Sequence, residues 1–253
     1  MKIAVVTGAS SGLGREYIRQ IAARYCGIDE IWGIARRGDR LENIKAELED
    51  YDVKFRSIVG DLTNEDTLIE LKNLLNELKP KVKILINAAG FGIIGEFANI
   101  DSDYSRGMIE LNCKALCDVT YEVLPFMCRN SRIMQIASSA AFMPQPKFAV
   151  YAASKAFVLN FSDALGVELR KREIYVTSVC PGPVKTEFFD IAQKYAHVSL
   201  YKRLAMAEAN LVVRQSLEDM EKKKRISIYG GLMKLFYISA KVFPRELFFK
   251  FIR

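Results

Sequence analysis

Apolar residues along this chain occur in two alternating patterns. Short, nearly unbroken apolar runs cover residues 2–6, 30–35, 53–59, 82–86, 132–136, 174–180 and 225–229. A strand buried on both faces reads this way, because neither side of it meets water. Between the runs, apolar residues recur at spacings of three and four, the period of a helix with one buried face. Residues 12–25 carry Leu13, Tyr17, Ile21 and Ala22, residues 40–50 carry Leu41, Ile44 and Leu48, and residues 64–78 carry Leu68, Leu71, Leu75 and Leu78. The pattern predicts further helices over 103–127, with Met108, Leu111, Ala115 and Val119, and over 151–171 and 206–222.

Strands that alternate with helices require right-handed crossovers and a parallel sheet covered on both sides. The expected fold class is therefore α/β, a doubly wound (Rossmann) seven-stranded parallel sheet with helices on both faces. It forms a single domain over residues 1–229, with the ligand cleft beyond the carboxyl ends of the strands. Residues 187–205 have no clear period and are expected to form an insertion over the site. Residues 230–253 form an amphipathic helical tail that Pro244 divides into two short helices.

Composition narrows the function classes. The 253 residues are half hydrophobic and about a quarter charged, with a formal net charge of +7. A basic surface suits a phosphate-rich cofactor as well as nucleic acid or anionic lipid. The dense basic run Lys222-Lys223-Lys224-Arg225 falls between a helix and a strand, where a solvated turn is the simpler reading, so no nucleic-acid partner is expected. Five cysteines form no C-x-x-C pair, which fits a reduced, cytoplasmic protein. Cys113 and Cys117 lie one helical turn apart, but the single histidine, His197, is remote, so no metal site is expected. The first apolar run is too short for a signal segment.

The run at residues 2–6 leads into Thr7-Gly8-Ala9-Ser10-Ser11-Gly12-Leu13-Gly14 and then a helix. A tight strand-to-helix turn needs residues without a Cβ, and the helix start presents unpaired N–H groups to a pyrophosphate. The second strand ends Ala35-Arg36-Arg37. An acidic residue there would accept from a ribose 2′-hydroxyl, whereas a guanidinium pairs with a 2′-phosphate. The expected cofactor is therefore NADP(H), with Arg36 and Arg37 as its selectors and Arg15 as a possible third cation. Tyr151 and Lys155 are four residues apart and share one helix face. The ammonium is expected to lower the tyrosine pKa and make it a usable general acid.

The G-x-x-x-G-x-G spacing and the Y-x-x-x-K pair resemble the short-chain dehydrogenase/reductase family, and the resemblance runs from about Lys2 to Thr186. It implies that Ser138, with Ser139 as the neighbouring alternative, holds the substrate oxygen. It implies that Asn112 supports Lys155 in a proton relay, completing a catalytic set of Asn112, Ser138, Tyr151 and Lys155. It places Gly8, Ser10, Ser11, Gly12, Leu13 and Gly14 around the cofactor, Asp61 and Leu62 at its adenine, and Asn87, Ala88 and Gly90 along it. Tyr151 and Lys155 would touch the cofactor as well. Pro181, Gly182, Val184 and Thr186 would grip the nicotinamide end. The implied reaction is hydride transfer between the nicotinamide and a hydrophobic alcohol or ketone. The site would be surrounded by Phe91, Ile93, Ile94, Phe142, Met143, Phe148, Phe188 and Phe189. A sugar-nucleotide epimerase or dehydratase and a cofactor-sensing regulator are the alternatives.

Three readings of residues 231–253 stay open. The tail packs on its own domain or across a dimer, covers a greasy substrate, or makes peripheral contact with a membrane surface. A homodimer or homotetramer is expected, paired through the helices at 103–127 and 151–171, because Phe157, Phe161 and Leu165 give the second an apolar outer face.

Overall fold

The computed structural model describes residues 1–195 and 206–244. Seven strands, β1 (Lys2–Thr7), β2 (Glu30–Ala35), β3 (Lys54–Val59), β4 (Lys81–Asn87), β5 (Met127–Ile136), β6 (Tyr175–Val179) and β7 (Ile226–Ser227), form one sheet. Its order is β3-β2-β1-β4-β5-β6-β7, and every pair is parallel. The chain runs outward from β1 to β3, returns to the other side of β1, and continues outward. The strand order therefore reverses between β1 and β4, where Thr7 pairs with Asn87 at the carboxyl ends. A cleft opens there because the crossovers depart in opposite directions.

Alternation along each strand divides the core. Ala4 and Val6 face one side, where they meet Tyr17, Ile18 and Ile21 of α1 (Gly12–Arg24) and Leu41 and Ile44 of α2 (Gly38–Glu47). Ile3 and Val5 face the other, where Leu71 and Leu75 of α3 (Glu65–Leu78) cover them. Next come α4 (Ser102–Ile109), a π-helical turn over Glu110–Ala115, and α5 (Leu116–Val123), which places Val119 and Val123 on that second side. It is completed by α6 (Ala149–Glu168), and the first side by α8 (Ala209–Glu221), with the short α7 (Phe188–Ala192) between them. The last described helix is α9 (Gly231–Val242).

The differences from the sequence expectations have local causes. The helix expected over 103–127 is interrupted by the π-helical turn. It ends at Val123, where Pro125 falls in a tighter turn, Leu124–Phe126. β5 starts at Met127, five residues before the expected run. Met127 pairs with Val82 and Arg132 with Ile84, so the register shifts between them and Arg129 and Asn130 stand exposed, with Asn130 at φ 63°. Of the three residues expected on the outer face of α6, Phe157 is exposed, Leu165 is buried against the sheet, and Phe161 is partly buried against the core; Val167 is exposed beside Phe157. The insertion expected over 187–205 contains α7. Its remainder from residue 196, including His197, lies outside the described residues, as does the tail beyond Pro244.

The β1–α1 turn is the tightest part of the frame. A Cβ on Gly14 would sit 2.2 Å from the Gly8 carbonyl oxygen, a backbone atom with no freedom to move aside. Gly14→Ala is expected to cost about 1–3 kcal/mol, the usual range for a forced shift in a packed site. Urea denaturation measures this, and a variant as stable as the parent would show that the turn opens freely.

Candidate active site

A cavity of about 800 Å³ runs along the carboxyl ends of the strands, from the β1–α1 turn and the end of β2 to the start of α6. Gly8, Ser10, Ser11, Gly12, Leu13 and Gly14 form its floor. Gly8 has φ +66°, a conformation that favours glycine, and a Cβ there would strike the Ala88 carbonyl at 2.8 Å. Thr7 accepts hydrogen bonds at 3.1 Å from the N–H groups of Ala88 and Ala89, which draws the turn after β4 against this floor. Ser11 caps α1 without a side-chain hydrogen bond, and no acidic residue occupies the first turn. The helix start therefore offers N–H donors and the positive end of its dipole to an anion. These features fit a nicotinamide dinucleotide, with the pyrophosphate against the start of α1.

The cationic residues near this floor divide. Arg36 is exposed and pairs with Asp61 at 3.6 Å. Arg37 donates to the Ser10 hydroxyl at 3.1–3.2 Å and to Glu187 at 3.0 Å. Both line the cavity with Asp61 and Leu62, and no carboxylate stands at the end of β2. Arg15 does not join them; it lies against Glu47 of α2, away from the cavity.

At the other end, α6 brings Tyr151 and Lys155 to the wall, both more than nine-tenths buried. Lys155 donates to the Ile136 carbonyl at 2.8 Å and lies 5.8 Å from the centroid of the Tyr151 ring. Burial lowers the Lys155 pKa to about 8. Burial also raises that of Tyr151 to about 12, against the opposing hydrogen bond from Ser138. The expectation that Lys155 depresses the tyrosine is therefore corrected. The ammonium is turned toward the end of β5, and desolvation of the phenolate dominates. Ser138 and Ser139 both line the cavity, and of the two it is Ser138 that opposes the rise of the Tyr151 pKa. Its Oγ also accepts from the Ala140 N–H at 3.1 Å, which fixes the hydroxyl at the start of a short helical turn.

Asn112 lies inside the π-helical turn and is fully buried. Its amide donates to the Phe91 carbonyl at 2.9 Å and to Ser154 at 3.0 Å, and its oxygen accepts from the Phe91 N–H at 3.0 Å. Gly90 separates it from Lys155; a Cβ there would lie 2.8 Å from Asn112 Oδ1 and 3.3 Å from Lys155 Nζ. Asn112 thus stands behind the wall and fixes the Gly90–Phe91 backbone. Asn87 also departs from its expected place. Its amide donates to Thr120 and Gln135 at 2.9 and 3.0 Å, so the side chain faces the interior while Ala88, Ala89 and Gly90 line the cavity.

After β6, Pro181, Gly182, Val184 and Thr186 form the roof. Lys185 donates to the Ala207 carbonyl at 3.0 Å and Ala207 to that of Pro183 at 2.9 Å, which pins the segment in an extended pairing. Phe91, Ile94, Phe148, Phe188 and Phe189 line the cavity as expected. Ile93 is buried beneath it, and Phe142 packs under α9, 4.8 Å from Tyr237. Met143 is buried as well and does not line it.

Sequence reading missed Glu187 and the individual residues Leu232, Met233 and Phe236 of α9, all of which line the cavity. The amphipathic tail was the only signal for α9. The helix packs on its own domain and lines one side of the cavity, and the tail beyond Pro244 lies outside the described residues. Among the described residues no group of histidine, cysteine and carboxylate side chains is placed to hold a metal ion. Among them, too, no helix is long and apolar enough to cross a membrane.

The fold and this cavity define a nicotinamide-dependent oxidoreductase. The chain belongs to the short chain dehydrogenase family, whose model matches residues 2–196. It is 30% identical to the very-long-chain 3-oxoacyl-CoA reductase of Rattus norvegicus over 257 aligned positions, covering 98% of this chain and 78% of that one. It is 34% identical to sulfoacetaldehyde reductase 2 of Chromohalobacter salexigens, over 74% of each. A short-chain dehydrogenase from Sphingobium yanoikuyae solved in complex with NADPH superposes with a TM-score of 0.82 at 27% identity, covering 100% of this chain and 96% of that one.

The buried ammonium carries a pH signature. Lys155 loses its proton near pH 8, whereas an unburied lysine keeps it to about 10.4. Between these values the unfolded chain binds more protons than the folded one, so this group makes stability rise with pH there. A reaction assisted by the ammonium runs the other way. The kcat/KM for the cofactor, which reports the free enzyme, should fall with an apparent pKa near 8, and the limb should move upward in Lys155→Arg. A profile flat through this range would remove the ammonium from the reaction.

Proposed function

We propose that this protein is an NADP(H)-dependent reductase of a bulky, apolar carbonyl compound, with a 3-oxoacyl thioester as the leading substrate class. The observation that carries this reading is the continuity of one cavity from Arg36 and Arg37 to an apolar chamber walled by Phe91, Phe148, Phe188, Phe189, Leu232 and Phe236. Tyr151 and Ser138 stand between the two ends. The two relatives differ in the substrates they are named for, one a very long acyl chain and the other a small charged aldehyde. The aromatic and aliphatic walls favour the former, because an apolar group gains by leaving water and a sulfonate would lose its solvation there. A hydroxysteroid fits the same walls and is the second reading.

In this reading the Gly8–Gly14 turn and the start of α1 hold the pyrophosphate, Arg37 and Arg36 the 2′-phosphate, and Pro181, Gly182, Val184 and Thr186 the nicotinamide end. The bound dinucleotide supplies or accepts the hydride. Ser138 donates a hydrogen bond to the substrate oxygen, and Tyr151 delivers its proton to that oxygen in the reducing direction. Its high pKa keeps the proton available at neutral pH. Lys155 supplies positive charge beside the phenol as negative charge develops. Asn112 acts at one remove, by holding the Gly90–Phe91 backbone against Lys155.

Tyr151→Phe is expected to lower kcat by about 10²–10⁴-fold while cofactor affinity is retained, since only the proton is lost. Steady-state reduction of 3-oxoacyl thioesters of increasing chain length, with NADPH and with NADH, tests the whole reading. NADPH should be favoured by about 10- to 100-fold, the worth of a charge-assisted contact. Equal efficiency with NADH, or no gain with chain length, would overturn the corresponding half of it.

The assembly we infer is a homodimer joined through α5 and α6. Tyr121 on α5 and Phe157 and Val167 on α6 are exposed, and Phe157 stacks on the half-buried Phe161 ring at 6.0 Å. Pairing about a two-fold axis would bury this surface against its own copy. Light scattering should give twice the 28.7 kDa chain mass, and Phe157→Glu should return it to a monomer. A monomeric parent would refute the pairing.

A further inference from the structure

The rim of the cofactor cleft carries a charge cluster built around Glu187, a residue to which the proposed reaction gives no role. Glu187 projects from the segment after β6 and meets two guanidinium groups, Arg37 at 3.0 Å and Arg40 at 2.5 Å. Arg37 also bonds the Ser10 hydroxyl of the glycine turn. Arg37 is the cap residue of α2 and Arg40 lies in its first turn, so both cations add to the positive end of that helix. The cluster suits a compact anion of more than one charge, and a single carboxylate from the chain itself occupies it.

The carboxylate belongs to a strap across the cleft. Thr186, next to it, lies against Gly12; a Cβ on that glycine would come within 3.3 Å of the threonine side chain. On the other side of Glu187 begins α7, where Phe188 packs on the Tyr151 ring at 5.4 Å. One short segment therefore touches the pyrophosphate floor, the arginines and the proton donor. Its polar anchor at the arginine end is Glu187.

We propose that Glu187 is a specificity-determining residue for the cofactor, a built-in competitor that holds Arg37 and Arg40 until a 2′-phosphate displaces it and releases the strap. A carboxylate and a phosphate monoester seek the same guanidinium donors, and the phosphate brings more charge and a third oxygen. A nucleotide with a free 2′-hydroxyl lacks the group that exchanges with Glu187 and leaves the latch in place. Half-exposed ion pairs are individually weak, so the latch is light enough for one phosphate to open. The inference rests on the reading that the 2′-phosphate binds at Arg37.

Calorimetric titration of the whole protein with 2′,5′-ADP and with 5′-AMP tests it without turnover. Removing the competitor in Glu187→Gln should tighten 2′,5′-ADP by about 3- to 30-fold, the range set by two weak ion pairs, and leave 5′-AMP unchanged. Glu187→Ala should shift in the same sense, and a thermal melt of each variant checks that it is folded. A loss of affinity for both nucleotides together, or no selective gain for 2′,5′-ADP in either folded variant, would make Glu187 a structural strut and overturn the proposal. The parent protein reports separately on the NADP(H) reading, which fails if 2′,5′-ADP binds it no better than 5′-AMP. A selective gain in the variants would uphold the competitor even then.

Discussion

The close approach of backbone to backbone at the β1–α1 turn is the constraint on which the rest of the site depends. Gly14 lies against the carbonyl of Gly8, and Gly8 lies against Ala88 in the turn after β4. These contacts leave no room for a Cβ, and they bring the start of α1 to the point where the strand order reverses. From that contact follow the position of the unpaired N–H groups at the start of α1 and the path of the Ala88–Gly90 turn. The closeness of Gly90 to Lys155 and Asn112 follows in turn. A wider turn would separate the two ends of the cavity.

Burial gives Tyr151 and Lys155 their character. Tyr151 and Lys155 are taken out of water together, and the cost falls on whichever form of each is charged. The phenol is held protonated and the amine is moved toward neutrality, so their ordinary pKa values near 10 are driven apart in opposite directions. The Ser138 hydroxyl opposes the rise at Tyr151, and the Cys113 and Cys180 side chains oppose the fall at Lys155. The pair is thus set by the apolar packing of Phe148 and Phe188 around it as much as by its own helical spacing.

The roof is built differently from the floor. The floor is backbone fixed by glycine and by the Thr7 hydroxyl, whereas the roof is made of segments that reach back from late in the chain. Thr186 and Glu187 come over the glycine turn, and Met233 of α9 presses so closely on Gly182 that a Cβ there would lie 2.8 Å from its sulfur. Leu235, Ile238 and Val242 remain exposed on the outer side of the same helix. The two ends of the cavity therefore share covering elements.

Period alone determined the architecture. Apolar runs of strand length alternating with helical spacing require a covered parallel sheet, and all seven expected strands are present. The glycine turn, Arg36, Arg37, Ser138, Tyr151 and Lys155 were legible because each sits at a strand end or helix start, where local geometry and sequence position coincide. Tertiary structure decided what depends on neighbours from elsewhere in the chain. Asn87 turns inward to Thr120 and Gln135, Arg15 turns away to Glu47, and Leu165 turns into the core. The rise of the Tyr151 pKa belongs to the same class. Helical spacing brought a cation near the phenol, but the walls that exclude water come from α7 and the segment before α6. Spacing along a sequence records which residues are adjacent on one element, and burial is a property of all the elements that close around them.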